Sequence, residues 1–430
     1  MKIIKYPNRK DWSQILKRPS PGDDMINQVV LDVLNDVKKN GDEAVKKYTA
    51  KFDKVTLSDL KVSQQEQDAA EQQLDPALVK SIQLARLNIE KFHAAQKSTP
   101  KMVETSPGVN CWQKSVAIEK VGLYIPGGTA PLFSTVLMLG VPAMLAGCKE
   151  IVLCTPPGKE GKVHPAILYT AKLIGLHKIY KIGGIQSIAA MAFGTATVPK
   201  VDKIFGPGNL YVTAAKQMAA IQGVAIDMPA GPSEVAVMAD QTSVPGFVAA
   251  DLLSQAEHGV DSQVILFTCD EDILEPVNTE IEAQLATLPR KEIASKALDN
   301  SKFIVLRSIE EMIEISNEYA PEHLIIAMEN ASEVAESVVN AGSVFIGNYS
   351  TESAGDYASG TNHALPTAGY AKGYSGVNLD SFMKKITFQQ LSKAGLANLG
   401  PAISIMAEAE QLMAHKNAVT IRLKAIENEK

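Results

Sequence analysis

The sequence predicts an α/β protein whose core is made of parallel β-sheets. From residue 120 onward, short runs of apolar and β-branched residues alternate with segments of helical periodicity. The apolar runs VGLYIP, EIVLCTP and QVILFTCD are nearly continuous, which is typical of parallel strands covered by helices on both faces. The length of 430 residues is enough for more than one such sheet.

The elements follow one another in a regular order along the chain. Charged and Gln-rich segments at 24–48 and 64–96 place apolar residues three and four apart, which predicts helices. Two series of alternating strands and helices come next, so we expect two Rossmann-like domains with helical extensions at both ends. The predicted division is an N-terminal tail at 1–20, a first α/β domain at 21–118 and 234–376, a second α/β domain at 119–233 and a helical C-terminal tail at 377–430.

Composition and charge exclude several classes of protein. With 46% hydrophobic and 21% charged residues, the chain has the composition of a folded globular protein. The uncharged stretch at 121–148 is interrupted by three prolines, which favours a strand, loop and helix over a membrane span. Basic residues occur in runs no longer than two, so we expect a small-molecule partner and no nucleic acid or membrane. Four cysteines without a CxxC pair, and no apolar leader, predict a cytoplasmic protein with reduced thiols.

Glycine-rich loops are the first candidates for ligand binding. In open α/β sheets, ligands bind beyond the carboxyl ends of the strands, where backbone N–H groups can approach a phosphate or a carboxylate. The segment GPGNLY lacks the third glycine of a dinucleotide fingerprint, so the residues alone do not assign NAD. The four loops are IPGGTAP (125–131), GGIQS (183–187), GPGN (206–209) and MPAGPSE (228–234), and a longer loop rich in Gly, Ser and Thr spans 348–376.

Four polar residues could together hold a metal ion. Gln255 and His258 lie three apart in a predicted helix, so their side chains project from the same face. Asp356 lies in the long loop, and His415 lies in the C-terminal helical tail. The alternative is a solvated or helix-capping role for the Gln255/His258 pair and a turn-capping role for Asp356. If they converge, two imidazoles and two oxygens without a thiolate would suit Zn²⁺ or Mn²⁺ at a catalytic or substrate-binding site.

The segment EYAPEHL provides a candidate acid/base pair. Glu322 and His323 follow a proline directly before a predicted strand, and both are residue types that carry out general acid/base catalysis. One function consistent with these residues is a zinc-dependent hydrolase in which Glu322 activates water. Another is a non-catalytic metal- or ligand-binding module. Cys111 and Cys154 are candidates for a covalent nucleophile, but we interpret both as ordinary small residues.

Several long motifs resemble the histidinol dehydrogenase family over nearly the whole chain. They are VGLYIPGGTAPLFSTVLMLGVPAMLAGC, GPGNLYVTAAK, DMPAGPSE, SQAEHG, APEHL, GDYASGTNHALPT and AEAEQLMAHKNAVTIR. The resemblance implies oxidation of L-histidinol through histidinal to L-histidine, in the last steps of histidine biosynthesis. It also implies that two NAD⁺ are reduced in two successive hydride transfers, and that each subunit of a homodimer holds one Zn²⁺.

The resemblance also implies a role for individual residues. Glu322 and His323 would be the catalytic pair, with His323 removing the hydroxyl proton and Glu322 activating the water that hydrates the aldehyde. The C-terminal tail would be exchanged between subunits, so that the active site is shared. The implied zinc ligands are Gln255, His258, Asp356 and His415; the substrate site adds Ser233, His323 and Glu410 to these four; and Tyr124, Gln186 and Asn209 would bind NAD.

Overall fold

The computed structural model describes residues 1–19, 24–127 and 131–429. The chain divides into two compact units, one of Met1–Gln96 and Ile118–Phe382 and one of Lys97–Ala117 and Met383–Lys430. The four-part domain division of the sequence analysis stays a prediction. Within the described ranges, no helix has both the length and the apolar character that crossing a membrane requires.

The strands coincide with the apolar runs of the sequence. Every residue of the strands at 234–239, 263–268 and 323–327 is buried, as expected for strands covered on both faces. In chain order the strands are β1 (Lys2–Lys5), β2 (Val103–Ser106), β3 (Val109–Ala117), β4 (Lys120–Tyr124), β5 (Glu150–Thr155), β6 (Lys178–Lys181), β7 (Lys203–Phe205), β8 (Ala225–Ile226), β9 (Glu234–Ala239), β10 (Gln263–Thr268), β11 (Lys302–Val305), β12 (His323–Ala327), β13 (Ser343–Ile346) and β14 (Met383–Leu391).

Several helices begin where the sequence carries a start signal. Pro76, Pro165 and Pro245 occupy the first turn of their helices, where a missing N–H is harmless. The helices are α1 (Trp12–Ile15), α2 (Asp24–Tyr48), α3 (Gln64–Asp68), α4 (Pro76–Ala94), α5 (Phe133–Ala146), α6 (Pro165–Leu173), α7 (Gly184–Phe193), α8 (Leu210–Ile221), α9 (Pro245–Ala256), α10 (Leu274–Leu285), α11 (Lys291–Asp299), α12 (Ile309–Tyr319), α13 (Ala331–Ala335), α14 (Glu352–Tyr357), α15 (Lys393–Ala409) and α16 (Met413–Asn428).

The first unit contains two parallel sheets, which confirms the predicted fold class. The larger sheet has the strand order β1-β11-β10-β9-β12-β13, and the smaller has the order β6-β5-β4-β7-β8. All strand pairs in both sheets are parallel. The strand order reverses between β9 and β12 in one sheet and between β4 and β7 in the other. Such reversal points are where open α/β sheets form ligand clefts.

The second unit is a small antiparallel sheet with two helices. Strand β14 pairs with β3 along its whole length, from Met383 opposite Ala117 to Leu391 opposite Val109. The prediction of a wholly helical C-terminal tail is therefore wrong in its first part, because a strand precedes α15 and α16. The pairing across nine residues of β3 outweighs the weak helical propensity of this charged, Gln-rich segment.

Candidate active site and metal centre

Glu322 and His323 lie where strand β12 begins. Helix α12 ends at Tyr319 and is capped by Ala320, which has a left-handed φ of 50°, and Pro321 follows. His323 is the first residue of β12 and pairs with Val235 of β9. The pair therefore lies at the amino ends of two neighbouring parallel strands, on the opposite edge from the carboxyl ends where the sequence rule expects ligands.

The backbone of Glu234 holds both side chains of the pair. The Oε2 atom of Glu322 accepts a hydrogen bond of 2.9 Å from the Glu234 N–H. The Nδ1 atom of His323 lies 3.2 Å from the Glu234 carbonyl oxygen. Because that oxygen can only accept, Nδ1 carries a proton, and Nε2 is the ring nitrogen that offers a basic lone pair when the imidazole is neutral.

Two helices bring further polar side chains against His323. Gln255 on α9 places its Nε2 atom 3.3 Å from His323 Nδ1 and donates from it to Glu352 Oε1 at 2.5 Å. Asp356 lies one helical turn after Glu352 on α14, and its Oδ1 atom is 3.5 Å from His323 Nε2. We call Gln255, His323, Glu352 and Asp356 the polar cluster.

The polar cluster has the properties of a cation site. Four of its atoms are buried without a hydrogen-bond partner among the described residues: Gln255 Oε1, His323 Nε2, Glu352 Oε2 and Asp356 Oδ1. Potential ligand atoms of His323, Glu352 and Asp356 lie within 4.8 Å of one another. Buried polar atoms without partners are rare, and a divalent ion bound among them would offset the surplus of carboxylates. The donor set of oxygen and imidazole nitrogen therefore fits a metal such as Zn²⁺.

The carboxylates and the imidazole of this region shift one another's pKa values. Burial raises the pKa of Glu322 to about 8 and also raises that of Glu352. Burial alone would lower the pKa of His323, but the neighbouring Glu352, Glu322 and Asp356 raise it to about 10. Burial alone would raise the pKa of Asp356, but its contact with His323 holds that pKa below the ordinary value. The region thus carries strong electrostatic coupling, which is typical of active sites.

The other predicted zinc and substrate residues have different surroundings. Helix α9 ends at Ala256, so the prediction that His258 shares a helix with Gln255 is wrong. A turn bond of 3.2 Å from the His258 N–H to the Gln255 carbonyl still keeps it beside the helix end. Ser233 directly precedes β9, on the same sheet edge as His323. Glu410 and His415 belong to the second unit, are exposed, and lie on either side of a turn between α15 and α16.

The three residues predicted to bind NAD lie at the carboxyl edge of the smaller sheet. Tyr124 ends β4, Gln186 lies in the first turn of α7, and Asn209 caps α8 by accepting the Val212 N–H at 3.1 Å. Gln186 is fully buried and donates from Nε2 to Asp53 at 3.0 Å, while its Oε1 has no partner among the described residues. Part of the predicted loop at 125–131, residues 128–130, lies outside the described residues.

A buried ion pair fixes the GPGN loop at this edge. Lys216 on α8 and Asp227 after β8 are 2.5 Å apart and each is 3% exposed. Lys216 Nζ also donates to the Gly206 carbonyl, and Asp227 accepts the Gly206 N–H, both at 2.8 Å. A Cβ atom at position 206 would lie 2.1 Å from the Tyr124 carbonyl oxygen, so only glycine fits there.

Comparison with known proteins decides the family. A family model described as histidinol dehydrogenase matches residues 16–423. The chain is 60% identical over 426 residues to histidinol dehydrogenase of Bacteroides thetaiotaomicron, covering 99% of this chain and 100% of the relative. It is 54% identical over 419 residues to the Escherichia coli K12 relative, covering 97% and 96%. The crystal structure of histidinol dehydrogenase from Elizabethkingia anophelis matches with a TM-score of 0.97 and 59% identity over 99% of each chain.

The chain belongs to the histidinol dehydrogenase family. The resemblance stated from the sequence motifs is thereby confirmed, and a histidinol dehydrogenase is an oxidoreductase that acts on a small-molecule substrate. Cys154 is fully buried in β5, and burial raises the pKa of its thiol. That environment opposes a nucleophilic role, in agreement with the interpretation of Cys154 as an ordinary small residue.

Sequence reasoning missed three residues near Glu322 and His323, namely Glu352, Arg18 and Glu234. Glu352 is 1% exposed and belongs to the polar cluster. Arg18 binds both carboxylate oxygens of the buried Glu234 at 2.5 and 2.8 Å, and its positive charge offsets the negative charge of that carboxylate. The backbone of Glu234 contacts Glu322 and His323. Glu352 lies four residues before Asp356, but the sequence predicted a loop here, so this helical spacing becomes meaningful only with α14 in the structure. Nothing in the sequence links Arg18 to Glu234.

Both ring nitrogens of His363 contact other groups of the protein. Its Nδ1 atom lies 2.9 Å from the Asp356 carbonyl oxygen, and its Nε2 atom lies 3.1 Å from the Thr135 hydroxyl. With both ring nitrogens engaged, the imidazole connects the end of α14 to α5. This contact orients the segment that carries Asp356.

Proposed function

We propose that this enzyme oxidises L-histidinol through histidinal to L-histidine, reducing two NAD⁺, as the last steps of histidine biosynthesis in the cytoplasm. The observation that carries the proposal is the buried acid/base pair Glu322–His323 beside a cluster of unpartnered oxygen and nitrogen atoms. A cytoplasmic location agrees with the four free cysteines.

A zinc ion would be held by Gln255, His258 and Asp356 together with His415 of the partner subunit in a homodimer. Bound there, Zn²⁺ supplies a Lewis-acidic anchor for the imidazole and amine of the substrate. The unpartnered Gln255 Oε1 and Asp356 Oδ1 support this ligand set. The exposure of Glu410 and His415 in the C-terminal unit leaves both side chains available to a second copy of the chain.

His323 would act as the base in both oxidations. Its Nε2 lone pair would take the hydroxyl proton of histidinol. At the same time a hydride would leave the carbon that bears this hydroxyl for NAD⁺, which yields histidinal and NADH. The contact between Nδ1 and the Glu234 carbonyl keeps the ring oriented while Nε2 accepts the proton.

Glu322 would prepare the second oxidation. A hydride can leave the aldehyde carbon only after water has added to it, and Glu322 would accept a proton from that water. The N–H of Glu234 fixes Oε2 of this carboxylate at 2.9 Å and so orients it. The protonated His323 would return its proton to the aldehyde oxygen as the hydrate forms. It would then take a hydroxyl proton of the hydrate while a hydride leaves the hydrate carbon for a second NAD⁺, giving histidine and a second NADH.

NAD⁺ would bind at the carboxyl edge of the smaller sheet through Tyr124, Gln186 and Asn209. Bound there, it supplies the hydride acceptor for both steps. The unpartnered Oε1 of the buried Gln186 supports a ligand contact at this place, because it can accept a hydrogen bond from a hydroxyl or amide. The reversal of strand order between β4 and β7 provides the cleft.

The test is the yield of NADH per histidinol before and after removal of metal. We expect two NADH per histidinol, loss of activity on chelation and recovery when Zn²⁺ is returned. A yield of one NADH, or full activity in the stripped protein, would contradict the two-step zinc-dependent reaction. Turnover of an amide or ester without any nicotinamide would instead support the hydrolase alternative.

The shared site is tested by mixing two inactive single variants. If each site uses His415 of the partner subunit, hybrid dimers of His415→Asn and His323→Asn chains contain one site with both native residues. We therefore expect partial recovery of activity after subunit exchange. Absence of recovery, with exchange verified by mass, would argue against a site shared between subunits.

A further inference from the structure

The amide of Gln255 has different surroundings on its two sides. Its Nε2 atom contacts Glu352 Oε1 at 2.5 Å and His323 Nδ1 at 3.3 Å. Its Oε1 atom is buried and has no hydrogen-bond partner among the described residues. Gln255 itself is 1% exposed, so water does not compete for either side of the amide.

The chemistry of Glu352 determines which way this amide faces. Glu352 Oε1 accepts the hydrogen bond from the amide nitrogen of Gln255, so that nitrogen turns toward Glu352 and the amide oxygen turns away. A glutamine that ligates a metal does so through its oxygen, since a protonated amide nitrogen has no free lone pair. The contact with Glu352 therefore leaves the ligating atom of Gln255 free.

Helix α14 is itself anchored to α9, which keeps Glu352 in place. The Thr351 hydroxyl donates to Asp251 Oδ1 at 2.9 Å. Asp251 lies four residues before Gln255, on the same face of α9. Two hydrogen bonds thus join the start of α14 to α9, and their partners Asp251 and Gln255 lie one helical turn apart on α9. Together the two bonds fix the position of Glu352 relative to the Gln255 amide.

We propose that Glu352 is a positioning residue for the metal site, which orients the Gln255 amide so that Oε1 is presented to the cation. The proposal rests on the proposed zinc-dependent function. Glu352 acts through Gln255 and is not itself required as a ligand. Groups that orient a metal ligand typically change metal affinity by about 10- to 100-fold when they are removed.

The experiment measures Co²⁺ binding to the metal-stripped full-length protein by visible absorption, without substrate or NAD⁺. Glu352→Met removes the acceptor, and we expect it to weaken binding by about 10- to 100-fold. Glu352→Gln keeps an oxygen that can accept, and we expect a smaller loss. Glu257→Gln is the charge-matched control, because Glu257 acts electrostatically on His258 without contacting Gln255 in any described hydrogen bond.

A double-mutant cycle with Gln255→Ala separates positioning from direct ligation. If Glu352 acts only through the Gln255 amide, then either Glu352 variant should cause no further loss of Co²⁺ affinity in the Gln255→Ala protein. Losses that multiply in the double variant would overturn the proposal and identify Glu352 as a direct ligand. A loss in Glu257→Gln equal to that in Glu352→Met would also overturn it, since charge alone would then explain the effect.

Folding and function are checked separately. If Glu352→Met does not give a native circular dichroism spectrum, Glu352→Gln carries the same cycle, and its loss must disappear in the Gln255→Ala background. Histidinol-dependent NADH formation by the wild-type protein tests the proposed function on its own. A wild-type enzyme that turns over and binds Co²⁺, combined with a multiplicative cycle, would reject only the role of Glu352.

Discussion

Replacing Lys216 by methionine should destabilise the protein and disturb the loop that is proposed to bind NAD⁺. Lys216 and Asp227 form an ion pair of 2.5 Å in which each side chain is 3% exposed. Both groups also bond to the backbone of Gly206, one to its carbonyl and one to its N–H. Methionine has nearly the length of lysine, so the substitution removes the charge and the donor with little change in volume.

The size of the effect follows from what remains around Asp227. Removing one partner of a buried ion pair typically costs about 3–5 kcal/mol, because the other charge is left uncompensated. The Asp227 carboxylate would still accept the N–H groups of Gly206 and Met228, at 2.8 and 2.7 Å. These two bonds should keep the loss near the lower limit, at about 3 kcal/mol.

The assay is urea unfolding, followed by the KM for NAD⁺ and for histidinol. We expect Lys216→Met to lower the unfolding midpoint and to raise the KM for NAD⁺ more than the KM for histidinol. Adding Asp227→Asn should recover part of the stability, since no unpaired charge then remains. Lys172→Met is the control, because Lys172 pairs with Asp68 at a position where the side chains are 41% and 53% exposed. Equal destabilisation by Lys216→Met and Lys172→Met would refute the reasoning.

Three further predictions concern the helix anchor, the cofactor loop and the thiol. Thr351→Val should lower the free energy of unfolding by about 1–2 kcal/mol, because Asp251 loses its donor. It should also weaken Co²⁺ binding. Thr351→Ser should behave like wild type in both measurements. Burial raises the pKa of Asp53 to about 6, so protonation below pH 6 should weaken its bond to Gln186. The KM for NAD⁺ should then rise as the pH falls from 7 to 5. An equal rise of this KM in the Asp53→Asn variant would contradict the prediction. Cys154→Ala should keep two NADH per histidinol, and a yield of one would restore the cysteine-nucleophile hypothesis.

The parallel strands could be predicted because they are buried on both faces. A strand covered by helices has no solvent-facing side, so β9 and β10 appear in the sequence as nearly continuous apolar runs. Strand β14 could not be found in this way, because most of its residues are exposed. Its weaker signal was the alternation of Ile386 and Phe388 with polar residues, which is typical of a strand with one apolar face.

The candidate site could be predicted only for residue types that stand out by their chemistry. Glu322, His323 and Gln255 were identified from the sequence, and the structure brings these three together. Glu352 and Arg18 could not be identified, because their importance arises from contacts across 97 and 216 positions of the chain. A glutamate in a polar segment has no distinctive pattern until α14 packs against α9 and buries it.

A short segment of the chain connects the carboxyl edge of the smaller sheet, where the proposed cofactor loops lie, to the amino edge of the larger sheet, where Glu322 and His323 lie. The segment from Asp227 to Glu234 leaves the carboxyl end of β8 and enters the amino end of β9. Seven residue steps span at most about 25 Å, so Asp227 and Glu234 lie no farther apart than that. Asp227 holds the Gly206 loop, and the Glu234 backbone holds Glu322 and His323. A single short segment therefore limits the distance between the proposed cofactor loops and the proposed catalytic pair, and lengthening it should harm hydride transfer more than metal binding.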